Sequence, residues 1–244
     1  MNRILIPYSR SLTLLLPPAS RTEPAPGTAS RAAFLNSPQP AASRDGLIVI
    51  PTHSAPSEPL LRALESIPAA LLFVCVDWNR DLSPWPAKAV FPGEDDFAGR
   101  ADDLLAELTG CILPLAEQAL PSPPQYRALA GYSLAGLFCV YAAFRTAAFT
   151  RIASVSGSMW YDGFLSFAGQ TPLAAPVERA WFSVGAKEKR TRNPRMASVE
   201  DNTRAMERLF RSRGAGTRFT LHPGNHFADT EARMAEALAF LAGE

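Results

Sequence analysis

The stretch RALAGYSLAGLFCVYAAF, residues 127–144, places one serine between two apolar segments of different pattern. The residues before Ser133 predict a short buried strand, and the residues after it predict an apolar helix. A single tight turn between such elements strains its central residue and exposes that side chain at the positive end of the helix dipole. Ser133 is therefore predicted to be a nucleophile, although a serine at this position could instead cap the helix.

Small residues flank this serine two positions away on either side. Gly131 and Ala135 occupy these positions, where the backbones of the strand and the helix pass close together. The common pattern for the turn is Gly-x-Ser-x-Gly, whereas alanine replaces the second glycine here and Gly136 follows it directly. We expect the turn to tolerate this change, because the position requires a small side chain rather than a positive φ.

Elsewhere the chain alternates continuous apolar strands with amphipathic helices. Strands are predicted at residues 46–52, 70–76 and 126–130 and in the segments RIASVSG, AWFSVG and TRFTLHPG. The main predicted helices are residues 102–120 with a kink at Pro114, residues 196–212, and the segment TEARMAEALAFLA. This alternation is typical of α/β proteins that have a mostly parallel sheet with helices on both faces.

The N-terminal region begins with two short apolar runs, residues 4–8 and 12–16. Basic residues ahead of LTLLLPPAS faintly resemble a secretory signal, but the second run is short and two prolines interrupt it. We therefore interpret the runs as two strands on an antiparallel edge of the sheet and expect a cytoplasmic protein. Residues 17–45 are rich in Pro, Ala and Ser and predict a loop insertion in a single domain, residues 1–244.

The composition argues against several classes of function. The chain has 24 Lys and Arg against 23 Asp and Glu, with no charged block that predicts binding to nucleic acid or to a membrane surface. No apolar run is long enough to span a bilayer. The sequence has no glycine-rich phosphate loop, its cysteines are scattered, and its histidines lack ligand spacing. We therefore expect neither a metal site nor a cofactor.

A serine nucleophile needs a base, and histidine is the side chain that exchanges protons near neutral pH. The sequence contains His53, His222 and His226. His222 lies inside a predicted strand, where a packed or edge residue is the simpler interpretation, and His53 precedes the nucleophile in the chain. His226 follows the last predicted strand in a turn with Pro and Gly. The order nucleophile, acid, histidine favours His226 as the base.

The acid that orients this histidine should follow a strand between Ser133 and His226. Glu188 comes shortly after the predicted strand AWFSVG and is the leading candidate. Its flanking basic residues would also suit an ordinary solvated carboxylate. Asp201, inside the next predicted helix, is the alternative acid.

The oxyanion hole needs backbone N–H groups rather than particular side chains. We expect one from Leu134, directly after the nucleophile, and a second from the loop after the strand at residues 46–52, near His53. Residues 77–100 and 158–176 should frame the substrate pocket. Their aromatic side chains are candidate substrate-binding residues, although each would equally suit loop packing: Trp78, Trp85, Trp160 and Tyr161.

With these candidates identified, five segments together resemble the α/β-hydrolase superfamily. They are DWNRDLSPWPA, AGYSLAGLF, SVSGSMWYDGF, SVGAKEKRTRNP and PGNHFAD. The sequence is most similar to the esterase-like branch, which includes enterochelin esterases, S-formylglutathione hydrolase and the mycolyltransferases. The resemblance implies an α/β-hydrolase fold in which Ser133, Glu188 and His226 correspond to nucleophile, acid and base. The chain is too short for a large helical cap, so we expect an open cleft.

The leading functional hypothesis is a serine hydrolase that cleaves a small carboxylic ester. An acyltransferase, in which an alcohol or thiol replaces water, would use the same residues. The alternative from a different class is a relative that binds a ligand without catalysis. A complete set of serine, histidine and acid argues against that alternative.

Overall fold

The structure is a computed structural model that describes residues 2–17 and 46–243. The predicted insertion therefore lies outside the described residues, except for Pro17. Ten strands are present in this part of the chain: β1 (Asn2–Ile6), β2 (Leu12–Leu16), β3 (Gly46–Thr52), β4 (Ala70–Cys75), β5 (Pro86–Ala87), β6 (Phe97–Ala98), β7 (Tyr126–Tyr132), β8 (Arg151–Val155), β9 (Arg179–Gly185) and β10 (Gly216–His222).

Eight of these strands form one sheet in the order β1-β2-β4-β3-β7-β8-β9-β10. Six strands run parallel, namely β4, β3, β7, β8, β9 and β10. Strands β1 and β2 form the antiparallel edge that the sequence predicts. The central strands read as continuous apolar runs because both of their faces are buried. Strands β5 and β6 pair separately within the segment at residues 77–100.

Helices cover both faces of the sheet. In the described residues they are α1 (Glu58–Ala63), α2 (Trp78–Asp81), α3 (Ala101–Glu107), α4 (Leu113–Gln118), α5 (Leu134–Arg145), α6 (Phe164–Gln170), α7 (Pro194–Ala197), α8 (Val199–Ser212) and α9 (Thr230–Ala242). Helices α3, α4, α5, α6 and α8 share one apolar core with the sheet. Helices α1 and α9 contribute to a second core on the opposite face.

Three elements differ in detail from the sequence predictions. The first strand ends at Ile6 rather than at residue 8, because Pro7 has no N–H to donate to the ladder with β2. Instead of a simple kink, a π-helical segment, Leu108–Ile112, joins α3 to α4 just before Pro114, which cannot donate a helical hydrogen bond. The helix predicted at residues 196–212 is divided into α7 and α8 at Ser198.

Candidate active site

The turn between β7 and α5 has the strained geometry that its sequence predicts. Ser133 has φ 57° and ψ −121°, a backbone conformation that is costly for a residue with a side chain. A Cβ atom on Gly131 would overlap the backbone of Ala135, so glycine is required there. The Ser133 N–H donates to Val155 O at 3.0 Å, and Ser158 N–H donates to Ser133 O at 3.0 Å. These contacts hold the turn in place.

The side chain of Ser133 contacts the histidine of the site and does not cap the helix that follows it. It makes no capping hydrogen bond to α5, which disfavours the interpretation of Ser133 as a helix cap. Its Oγ lies 3.1 Å from Nε2 of His226 instead. The other ring nitrogen, Nδ1, lies 2.8 Å from Oε2 of Glu188. The structure therefore brings these three predicted residues into one continuous chain of hydrogen-bonded groups.

The topology explains why residues so distant in sequence meet. Ser133 follows β7, Glu188 follows β9, and His226 follows β10. These strands are parallel, so their carboxyl ends lie at the same edge of the sheet. Open α/β sheets bind ligands at this edge.

Glu188 is held by groups that leave only one of its oxygens for the histidine. Its side chain is 5% exposed, and Oε1 accepts hydrogen bonds from the Gly185 N–H at 2.6 Å and from Ser156 Oγ at 2.8 Å. Burial raises the pKa of the Glu188 carboxyl, but hydrogen bonds from His226, Gly185 and Ser156 outweigh burial and bring the pKa below its ordinary value. Glu188 is consequently ionised at neutral pH, as an orienting acid requires.

The other candidates for base and acid occupy different settings. His222 is buried at the end of the edge strand β10, 3.7 Å from Glu236. Burial lowers the pKa of its imidazole, and Glu236 only partly opposes this. Asp201 is exposed on α8, and the carboxylate that contacts His226 is that of Glu188.

An open cavity of about 760 Å³ lies in front of the serine. Ser133, His226 and Glu188 line it, as do the two residues predicted to supply the oxyanion hole, Leu134 and His53. Five aromatic side chains also face this space: Trp78, Phe91, Phe97, Trp160 and Phe227. Phe227, directly after the histidine, is 83% exposed at the cavity mouth. Two of the four aromatic residues predicted to bind substrate, Trp78 and Trp160, are thus in position to do so.

The other two, Trp85 and Tyr161, are not among the residues that line the cavity. The Tyr161 hydroxyl donates to Trp85 O at 2.5 Å, and the Trp85 indole N–H donates to Asp162 O at 3.1 Å. The ring of Tyr161 packs against Phe97, 5.2 Å between centroids. Because their polar atoms bond to backbone carbonyls, these residues support the aromatic wall from behind and do not form its surface.

Three further residues of the site are not among those that the sequence predicts. The Tyr132 hydroxyl donates to His226 O at 2.6 Å, and Ser156, with φ 47°, contacts Glu188. The third is Arg233 of α9, which bonds to the loop that carries His226. A charged residue among the apolar positions of TEARMAEALAFLA was the available signal, because an arginine on a buried helix face needs partners.

Two further properties concern the described residues as a whole. No group of three or more His, Cys, Asp or Glu side chains within residues 2–17 and 46–243 is arranged to hold a metal ion. No helix in the same ranges combines the length and the apolar character needed to cross a membrane.

Comparison with known proteins shows a match between residues 52–241 and the model of the family Esterase, described as "Putative esterase". The sequence is also 26% identical over 155 residues to the uncharacterized protein YbbA of Bacillus subtilis (strain 168). That match covers 62% of this chain and 62% of YbbA, which is less than two thirds of either protein.

Two solved structures have a similar fold. The siderophore hydrolase EstA from Aspergillus nidulans superimposes with a TM-score of 0.72 at 15% identity, covering 99% of this chain and 93% of EstA. An IroE-like serine hydrolase from Shewanella oneidensis gives a TM-score of 0.71 at 12% identity, covering 98% of this chain and 78% of that protein. The α/β-hydrolase fold that the sequence predicts is confirmed.

Proposed function

We propose that this chain, which belongs to the Esterase family, hydrolyses carboxylic esters through an acyl-enzyme formed on Ser133. Membership in this family supports the assignment of a serine esterase. The observation that carries the proposed mechanism is the unbroken series of contacts from Ser133 Oγ through the imidazole of His226 to Glu188, at 3.1 and 2.8 Å. Both distances are within reach for proton transfer and for orientation of the imidazole.

In the acylation step, the Ser133 Oγ attacks the ester carbonyl carbon while its proton passes to Nε2 of His226. The tetrahedral intermediate collapses, the bond to the alcohol oxygen breaks, and the imidazolium returns the proton to that oxygen. The alcohol leaves and the acyl group remains on Ser133. Glu188 stabilises the imidazolium and fixes the tautomer of His226 through Nδ1.

In the deacylation step, water takes the place of the serine. His226 removes a proton from the water as the oxygen attacks the acyl carbonyl, and it then returns that proton to Ser133 Oγ. The products are the carboxylic acid and free enzyme. The open cavity gives water access to the acyl-enzyme.

The backbone amides of Leu134 and His53 are the proposed donors to the oxyanion. Leu134 is the first residue of α5, so its N–H belongs to the positive end of the helix dipole. Both residues line the cavity beside Ser133. Donors that are fixed before the reaction stabilise the developing charge without the cost of reorganisation.

The cavity lining favours an uncharged ester with an aromatic or apolar group. Trp78, Phe97 and Trp160 supply apolar walls. The Asp and Glu residues that line the cavity in the described part of the chain are Asp77, Glu94, Asp95 and Glu188, and no Lys or Arg lines it there. A substrate with several negative charges would be repelled by this lining. We therefore propose an uncharged ester for this enzyme.

Covalent labelling with a fluorophosphonate probe tests the nucleophile. The parent protein should gain one adduct, which peptide mass spectrometry should locate at Ser133, because the probe reacts with serines activated by a base. Ser133→Ala should abolish the adduct. Ser158→Ala is the matched control, since Ser158 also lines the cavity and its hydrogen bond to the turn comes from its backbone N–H, which alanine keeps. A folded parent that remains unlabelled would favour a binding protein without catalysis.

A further inference from the structure

One arginine is buried beside the site and has no part in the proposed chemistry. Arg233 lies in the first turn of α9, and its side chain is 1% exposed. A guanidinium never loses its charge in a protein, so burying it is costly unless it is paired and hydrogen-bonded. The partners of Arg233 therefore indicate what its burial achieves.

Its first set of partners lies in the loop between β10 and α9. One terminal nitrogen, Nη2, donates to Pro223 O at 2.7 Å and to Asn225 O at 3.1 Å. These carbonyls lie on either side of Gly224, which has φ 87°, and Asn225 directly precedes His226. The arginine thus fixes the backbone from which the histidine side chain projects.

Its second set of partners lies on the acid side of the site. The other terminal nitrogen, Nη1, is 3.1 Å from Ser156 Oγ and 3.5 Å from Oε1 of Glu188. Ser156 in turn donates to the same oxygen of Glu188. This arrangement occupies Oε1 and leaves Oε2 for His226.

We propose that Arg233 is a positioning residue that holds the histidine loop and the acid in register with each other. A planar guanidinium reaches both groups at once because its two terminal nitrogens point in different directions. Rigid alignment matters here, because a displacement of about 1 Å costs roughly 100-fold in rate. The inference rests on the proposed ester hydrolysis and assigns a role to a residue outside the serine, histidine and acid set.

The test compares Arg233→Met and Arg233→Lys with a matched substitution at the other end of the same helix. Arg179 donates to Phe240 O at 3.0 Å near the C-terminus of α9, at the edge of the sheet opposite to the site. Arg179→Met therefore removes an arginine-to-carbonyl contact of the same helix without touching the site. Steady-state kinetics with 4-nitrophenyl butyrate would be measured well below each variant's unfolding temperature.

We expect Arg233→Met to lower kcat by about 100-fold with KM within about threefold of the parent, because alignment rather than substrate binding is lost. Lysine offers a point charge and reaches only one set of partners, so Arg233→Lys should recover part of kcat. Arg179→Met should keep both constants within about threefold even where its melting temperature falls.

Parental kcat in folded Arg233→Met would overturn the proposal, as would an equal loss of kcat in Arg179→Met. If Arg233→Met does not fold, Arg233→Lys decides alone, and a parental kcat in that variant overturns the proposal. A parent protein with neither esterase activity nor probe labelling would instead overturn the proposed function, and this inference with it.

Discussion

Arginine side chains lie at both ends of the parallel strands, but they bond to different groups at each end. We call the end at which Ser133 lies the carboxyl edge of the sheet and the opposite end the amino edge. At the carboxyl edge, Arg233 is buried and its bonds converge on the loop of His226 and on Glu188. At the amino edge, Arg151 and Arg179 bond to the last carbonyls of α9 and lie over aromatic rings. The same helix is therefore held at both ends, but only its first turn contacts Glu188 and the loop of His226, which are the proposed catalytic groups.

Strained backbone conformations also lie at the carboxyl edge. In the part of the chain that the structure describes, the non-glycine residues with positive φ are Ser133, Ser156 and Asp229. Each lies directly or shortly after the carboxyl end of a parallel strand. Strained conformations persist where the surrounding structure enforces them, and they concentrate at functional sites. The comparison indicates that the carboxyl edge positions the candidate catalytic groups, whereas the contacts at the amino edge anchor the end of α9.

Substitution of Glu188, the proposed acid at the carboxyl edge, should give the largest loss of activity. In Glu188→Gln, the Gly185 N–H and Ser156 would bind the amide oxygen and turn the NH₂ group toward His226. Nδ1 would then have to accept a hydrogen bond, and the wrong tautomer would result. We expect kcat/KM for 4-nitrophenyl butyrate to fall by about 1,000-fold with little loss of melting temperature, approaching the effect known for serine proteases.

Asp201→Asn is the control for this substitution, because it removes an exposed carboxylate from α8. Its kinetics should match those of the parent. A large loss in Asp201→Asn beside near-parental rates in Glu188→Gln would contradict the assignment of the acid. Near-parental rates in both variants would indicate that Ser133 and His226 act as a dyad.

The charge of the substrate should have a smaller effect on activity, because the cavity at the carboxyl edge is lined by acidic residues. We expect kcat/KM for the anionic mono-4-nitrophenyl glutarate to be about tenfold lower than for 4-nitrophenyl butyrate, because Asp77, Glu94 and Asp95 line the cavity. Salt at about 0.5 M should reduce the difference by screening. A higher kcat/KM for the anionic ester at low salt would contradict the proposed preference.

The smallest effect on activity should come from the amino edge. Arg151→Met removes a hydrogen bond of 2.7 Å to Leu241 O, a cation–π contact with Tyr126 and an ion pair of 3.0 Å with Glu178. Circular dichroism should show a loss of about 1–2 kcal/mol in the free energy of unfolding, while kcat/KM stays within about twofold of the parent. Arg62→Met, an exposed position on α1, should change neither quantity. A tenfold loss of kcat/KM in Arg151→Met would contradict the claim that contacts at the amino edge leave activity unchanged.

The sequence predicted the turn at Ser133 and the last helix well, because each depends on local pattern. Small residues around the serine and an uninterrupted apolar periodicity identify these elements without knowledge of the rest of the fold. The N-terminal hairpin was predicted as well, although Pro7 ends its first strand earlier than expected. The predicted positions of Glu188 and His226 followed from chain order and from the rule that parallel strands end at one edge.

The remaining features depend on contacts between distant segments. Trp85 and Tyr161 lie in the segments that frame the cavity, but packing against Phe97 and bonds to backbone carbonyls direct them away from it. Nothing in the local sequence distinguishes them from Trp78. Likewise, the role of Arg233 appears only when the loops after β8, β9 and β10 meet.

The late position of the histidine loop and α9 has a consequence for biosynthesis. At roughly 5–20 residues per second, the ribosome needs about 5 to 20 s to add the 93 residues that separate Ser133 from His226. During this interval the nascent chain carries a serine without its base, and Arg233 emerges later still. In the proposed mechanism, the nascent polypeptide therefore lacks its complete set of catalytic groups until the loop between β10 and α9 has been synthesised.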